Sequence, residues 1–198
     1  MTPQPDDPAA LRRELRARRR ALPATARIAA AEALATRVLA LPFLPAAGYV
    51  AGYWAMDGEL ALHAVQLRLP PGLRWCLPVL RVDDSLGFAP WRAGQALVSN
   101  RFGIPEPDVA PASTLDPQAL ALALMPLVGF DGCGHRLGMG GGWYDRSFAF
   151  RTSAPAPPWL VGVGFDEQRV DALPRQPWDV VPDAICTPTT TLLREDAP

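Results

Sequence analysis

The sequence contains no lysine: all 19 of its basic side chains are arginine. That absence excludes a lysine nucleophile or Schiff base, and any bound phosphate must be held by guanidinium forks or backbone amides. Cysteine is scarce. Cys76, Cys133 and Cys186 lie far apart with no CxxC spacing, which excludes a disulfide framework or a cysteine zinc site and fits reduced thiols in the cytoplasm. An excess of either charge is also missing, since 19 basic residues face 20 acidic ones at a pI near 6.1. A general attraction for nucleic acid or an anionic membrane surface is therefore not expected, and any anion needs a local site. The longest apolar runs, residues 120–128 and 159–165, are too short to span a bilayer, and the N-terminus lacks an apolar signal core. The expectation is a soluble, cytoplasmic protein.

Hydrophobic residues make up 49% of the 198, enough to bury a substantial core in one domain over residues 1–198. Residues 9–21 and 26–41 are rich in Ala, Leu, Arg and Glu and are separated by Pro23-Ala24-Thr25, which predicts two helices. The stretch 48–55 (GYVAGYWA) predicts a strand, and residues 59–69 have helical spacing ended by Pro70-Pro71-Gly72. Further strands are expected at 74–79, 85–91, 120–126, 159–165 and 183–187, with helices at 116–119 and 143–150. Strands alternating with helices predict an α/β fold, a single layered domain with a largely parallel central sheet flanked by helices.

Residues 129–142 hold seven glycines in fourteen positions, so no regular element is expected there, and the local order is strand, glycine loop, helix. That order leaves unpaired amide N–H groups at the positive end of a helix dipole, a site suited to phosphate. The run Gly140-Gly141-Gly142 removes every Cβ from the inner curve and lets the backbone approach an anion closely. On composition alone a plain structural turn explains it equally well. A P-loop would need Lys-Ser/Thr after its last glycine, and here Trp143-Tyr144 follow; a dinucleotide fingerprint would need a third glycine early in the chain. Arg136 can offer a bidentate fork to phosphate oxygens. A carboxylate next to phosphates implies a metal between them, which makes Asp145 either a Mg²⁺ ligand or a first-turn charge favoured by the helix dipole.

Residues 130–146 (FDGCGHRLGMGGGWYDR) resemble the signature FDxxGxRLGxGxGYYDR of the 5-formyltetrahydrofolate cyclo-ligase family, also called methenyltetrahydrofolate synthetases. The similarity extends along nearly the whole chain, through LRRELRARRRALP near the start, YWAMDGEL at 53–60, CLPVL at 76–80, FGIPEP at 102–107, GVGFDEQ at 162–168 and LPRQPWDVVPDAICTP at 173–188. The resemblance implies ATP-driven conversion of 5-formyltetrahydrofolate to 5,10-methenyltetrahydrofolate with Mg²⁺, giving ADP and phosphate. A relative that binds nucleotide or folate without turnover is the alternative.

By the same resemblance, Arg12, Arg136, Leu137, Gly138, Met139, Gly140, Gly141, Gly142, Trp143 and Tyr144 match ATP contacts. Trp54, Glu59, Phe102, Met139 and Trp143 match the folate side, Arg136, Tyr144 and Asp145 the catalytic positions, and Asp145 and Asp179 the metal positions. The sequence departs from the pattern where relatives often carry cations: Pro8 replaces a lysine, and Met139 and Gly141 stand where some members have Arg or Lys. Trp143 replaces the usual first tyrosine. Arg136 and the backbone amides must then carry more of the phosphate charge. His63 and His135 match no catalytic position.

Overall fold

The computed structural model describes residues 7–194. Helix α1 (Pro8–Arg20) starts where the Asp7 side chain accepts from the Ala9 amide at 2.9 Å and Pro8 supplies a preset φ, and it ends on three arginines that suit the negative end of its dipole. Helix α2 (Ala24–Leu39) buries Ala30, Ala31, Leu34, Ala35 and Val38, a stripe at helical period. The strands β1 (Gly48–Ala51), β2 (Leu73–Leu80), β3 (Leu86–Pro90), β6 (Leu120–Pro126), β9 (Trp159–Val163), β10 (Ala184–Cys186) and β11 (Thr191–Leu193) form one sheet in the order β11-β10-β9-β6-β1-β2-β3. The five inner strands run parallel and the two edges antiparallel, as the alternating pattern predicts.

β6 shows why the sheet is layered on both faces: it is apolar throughout, and its alternate residues feed two cores. Leu122 and Leu124 pack with α2 and with α3 (His63–Arg68), whereas Ala123 and Met125 pack with Phe148 beyond the short helix α4 (Trp143–Ser147). Strand order reverses between β1 and β6, since the chain leaves β1 toward β2 and later returns on its other side. In open α/β sheets the crevice outside the carboxyl ends at such a reversal is where ligands bind.

Several elements differ from the sequence expectation. The strand expected over 48–55 stops at Ala51, and the helix expected over 59–69 shrinks to α3, because Asp57 (φ 51°) and Gly58 (φ 77°) form a tight turn closed by the Glu59 amide on the Met56 carbonyl at 2.9 Å. An Asp-Gly pair is the sequence signal for that geometry. The glycine-rich stretch is not wholly irregular: β7 (Gly129–Phe130) and β8 (Arg136–Leu137) pair antiparallel, since Phe130 and Leu137 are buried and the loop proper begins at Gly138. The helix expected over 143–150 splits into α4 and a 3-10 turn at Ala149–Thr152, and the helix at 116–119 is a 3-10 turn over Pro117–Ala119. A small hairpin of β4 (Leu97–Ser99) and β5 (Pro105–Pro107) and the edge strand β11 were not expected.

Candidate active site

A cavity of about 840 Å³ opens at the carboxyl ends of β1 and β6, bounded by the turn after β1, the glycine loop, α1 and the tip of the β4–β5 hairpin. Every residue that the family resemblance matches to a site position lines it: Arg12, Trp54, Glu59, Phe102, Arg136, Leu137, the loop residues 138–142, Trp143, Tyr144, Asp145 and Asp179. Sequence reasoning passed over Arg19, Tyr53, Met56, Asp57 and Trp178, which line it too. Two of these had a signal. Arg19 follows Arg12 by two helical turns and shares its face, and Asp57-Gly58 marks the turn that carries Glu59.

Arg136 anchors the glycine side. Its side chain is 5% exposed, its Nη2 donates to Asp145 Oδ1, and its buried Nε has no hydrogen-bond partner among the described residues. A buried donor without an acceptor is costly, so the guanidinium is suited to an anion arriving in the cavity. Asp145 Oδ1 also accepts from the Val180 amide at 3.2 Å, which ties it to the turn holding Asp179. Asp179 in turn accepts from the Gln176 amide at 2.8 Å, so the two carboxylates occupy adjoining backbone segments on one wall. Arg12 reaches across from α1, its Nε donating to the Gly138 carbonyl at 2.8 Å.

The loop's curvature depends on missing side chains. A Cβ at Gly141 would sit 2.8 Å from Trp143 Cδ1, and Gly142 precedes α4 in the left-handed region at φ 67°. α4 has only five residues, so the sequence expectation of a strong dipole site weakens and the loop amides and Arg136 become the main anion-facing groups.

The opposite wall is apolar with a buried acid. Glu59, 13% exposed, accepts from the Met56 amide at 2.9 Å. Burial pushes its carboxyl above the ordinary glutamate value, against the opposing pull of that amide and of Arg19. Burial, reinforced by the Glu59 charge, also raises the Tyr53 and Tyr144 phenols, so both remain neutral donors near pH 7. Tyr53 spends its proton on the Leu60 carbonyl at 2.7 Å. Around the mouth stand large exposed side chains: Trp54 (37%), Phe102 (55%), Met139 (51%) and Trp178 (66%). Exposed apolar groups converging on one mouth mark a binding site. Trp54 stands edge-on to Trp91 with centroids 6.0 Å apart, and Phe102 stands edge-on to Trp143 at 5.8 Å. The hairpin tip that presents Phe102 is braced by Asn100, whose Oδ1 accepts from the Phe102 and Ile104 amides.

A model of the 5-formyltetrahydrofolate cyclo-ligase family matches residues 5–188. The chain belongs to that family. It is 37% identical over 183 residues to the 5-formyltetrahydrofolate cyclo-ligase of Escherichia coli (strain K12), covering 88% of this chain and 97% of that one. To the enzyme of Haemophilus influenzae it is 35% identical over 134 residues, covering 66% and 71% of the two chains. The NMR structure of 5,10-methenyltetrahydrofolate synthetase from Aquifex aeolicus superposes with a TM-score of 0.79 at 26% identity, over 96% of this chain and 94% of that one. The synthetase of Mycoplasma pneumoniae, at 23% identity and a TM-score of 0.69 over 92% and 99% of the chains, shares the fold. The chain is thus an enzyme, a cyclo-ligase of folate one-carbon metabolism. The cysteines take no part in its cavity: burial raises Cys76 to about 12 and Cys186 to about 11, and Cys133 lies in the β7–β8 turn. No helix is long and apolar enough to cross a membrane among the described residues.

Proposed function

We propose that the enzyme closes the ring of 5-formyltetrahydrofolate at the expense of ATP, releasing ADP and phosphate. A formamide is a poor electrophile. Transfer of the γ-phosphoryl group to the formyl oxygen would give an imidate phosphate, which the N10 amine of the same folate attacks with loss of phosphate. The observation that carries the phosphate half is Arg136, a buried guanidinium with an unpartnered Nε beside a loop that is glycine at every position but Met139. Arg136, the amides of residues 138–142 and Arg12 would hold the phosphates, and the Tyr144 hydroxyl would donate a hydrogen bond to the transferring group. Trp54, Phe102, Met139 and Trp143 would hold the flat heterocycle, with the Glu59 carboxylate accepting from its N–H groups.

Asp145 and Asp179 suit Mg²⁺, an ion commonly held by one or two carboxylates, waters and substrate phosphates. No cluster of three ligating side chains occurs among the described residues, so phosphate oxygens would have to complete that site. When bound, the ion would neutralise phosphate charge. The protein's own work is alignment: α1 and the glycine loop would fix the phosphates, and the turn after β1 would fix the folate against them. The test is the appearance of methenyl-folate absorbance on mixing protein, ATP, Mg²⁺ and 5-formyltetrahydrofolate. Tight binding of both substrates with no absorbance change and no ADP would establish a non-catalytic relative instead.

A further inference from the structure

Arg19 is fully buried, although it lies on a helix crowded with arginines. Its guanidinium makes four contacts at the switch point of the sheet. Nε donates to the Asp57 carbonyl at 3.0 Å, Nη2 to Asp57 Oδ2 at 2.9 Å, and Nη1 to the Leu127 carbonyl at 3.4 Å. Nη2 also lies 3.8 Å from Glu59 Oε1. One planar fork thus joins the turn after β1 to the chain leaving β6, the two sides of the cavity floor. We infer that Arg19 is a positioning residue for the folate: it aims the Glu59 carboxylate into the cavity and supplies its counter-charge. This rests on the assignment of Glu59 as a folate contact.

The alternative role, a clamp that only stabilises the fold, is weakened by how little else depends on Arg19. Asp57 keeps Arg16 and Arg20 as partners, and the Leu127 carbonyl also accepts from Gln168 Nε2 at 2.9 Å. Glu59 keeps the Met56 amide at 2.9 Å, but its only other cation among the described residues is Arg16, whose pull is weaker than that of Arg19. The charged and titratable groups facing it are Arg19 and Arg16 from α1, Asp57 and Tyr53 from its own segment, and Tyr144 from α4, and of the two arginines Arg19 exerts the stronger pull. Both phenols are neutral in the acid range. Asp57, despite its partial burial, is held ionised by hydrogen bonds from Arg16, Arg20 and Arg19. Without Arg19, Glu59 would therefore take up a proton at higher pH, because an opposite charge at this distance shifts a carboxylate by about 1–3 units.

The experiment measures KM for 5-formyltetrahydrofolate and for ATP, with kcat, across the acid range in wild type, Arg19→Met, Arg19→Lys and Glu59→Gln. If Glu59 is the folate contact, wild type loses productive folate use as pH falls, and Glu59→Gln has weaker use with no such fall. In Arg19→Met the fall should move up by about 1–3 pH units, with ATP KM unchanged. Arg19→Lys should return the fall toward its wild-type position but keep a raised folate KM, since a single ammonium cannot span Asp57 and Glu59 together. An Arg19→Met enzyme whose fall stays at the wild-type pH, alongside a Glu59→Gln enzyme that has lost it, overturns the role of Arg19 and leaves Glu59 standing. Wild-type KM and pH profile in Glu59→Gln removes the folate contact itself. Should Arg19→Met fail to fold, Arg19→Lys carries the test alone, and an unchanged folate KM in it overturns the inference.

Discussion

Asp145 is asked to do two things that oppose each other. It pairs with Arg136, and it would hold the metal when ATP is bound. Replacing it by asparagine keeps the shape and removes the charge. The guanidinium then donates to a neutral amide oxygen in place of a carboxylate, and losing the second charge of the pair weakens its hold by about 1–1.5 kcal/mol, part of the roughly 1.5–3 kcal/mol that a bond to a charged group contributes. An anion competing for Arg136 then binds about tenfold more tightly. Asp145→Asn should accordingly bind ATP better than wild type in EDTA, as read by titration calorimetry. With Mg²⁺ the order should invert, and turnover followed by methenyl absorbance should fall about 10–100-fold, the equivalent of one charge-assisted contact. The melting temperature should fall by about a few degrees, because the Arg136 side chain is only 5% exposed and is left with a neutral partner when the carboxylate goes. Weaker ATP binding in EDTA together with undiminished turnover would refute this account, and Asp145 would be an orienting partner of Arg136 with no metal role.

Gly141→Ala places a methyl group 2.8 Å from Trp143 Cδ1, so the indole must shift from its edge-on place beside Phe102. KM should rise for both substrates by about tenfold while thermal stability is kept; a wild-type KM for both would show that Trp143 does not bound the site. A third expectation concerns Asp131, which is 3% exposed. Although burial raises its carboxyl, hydrogen bonds from the His135 ring and from the His135 and Leu173 amides outweigh it, and the folded value lies below the ordinary one. A depressed folded value means stability that is present above the unfolded carboxylate value and lost as pH falls through the folded one. Denaturant unfolding of wild type should lose stability on acidification through that window, and Asp131→Asn should flatten the loss. An Asp131→Asn protein as acid-sensitive as wild type would sink the assignment.

The chain's local elements were legible because their signals are short-range. The Ala-, Leu- and Arg-rich stretches 9–21 and 26–41 gave α1 and α2, whose buried stripe is Ala30, Ala31, Leu34, Ala35 and Val38, and the apolar run 120–126 gave β6. The glycine loop and its flanking Arg136 and Asp145 were legible for a similar reason, since a Cβ-free curve and its neighbouring charges are adjacent in sequence. The Asp57-Gly58 turn was equally local but was overridden by the helical spacing of residues 59–69.

What no local pattern carries is the meeting of distant segments. Arg12 and Gly138 are 126 residues apart, Arg19 and Leu127 108, and only the return of the chain to the far side of β1 makes them neighbours. The same holds for charge. The sequence shows Arg16, Arg19 and Arg20 as one crowded helix, and burial alone decides that Arg19 loses its water while Arg20 keeps half of its exposure. A carboxylate in a sequence has its ordinary pKa. Glu59 acquires a raised one, and a dependence on Arg19, because folding removes the solvent that would otherwise screen it.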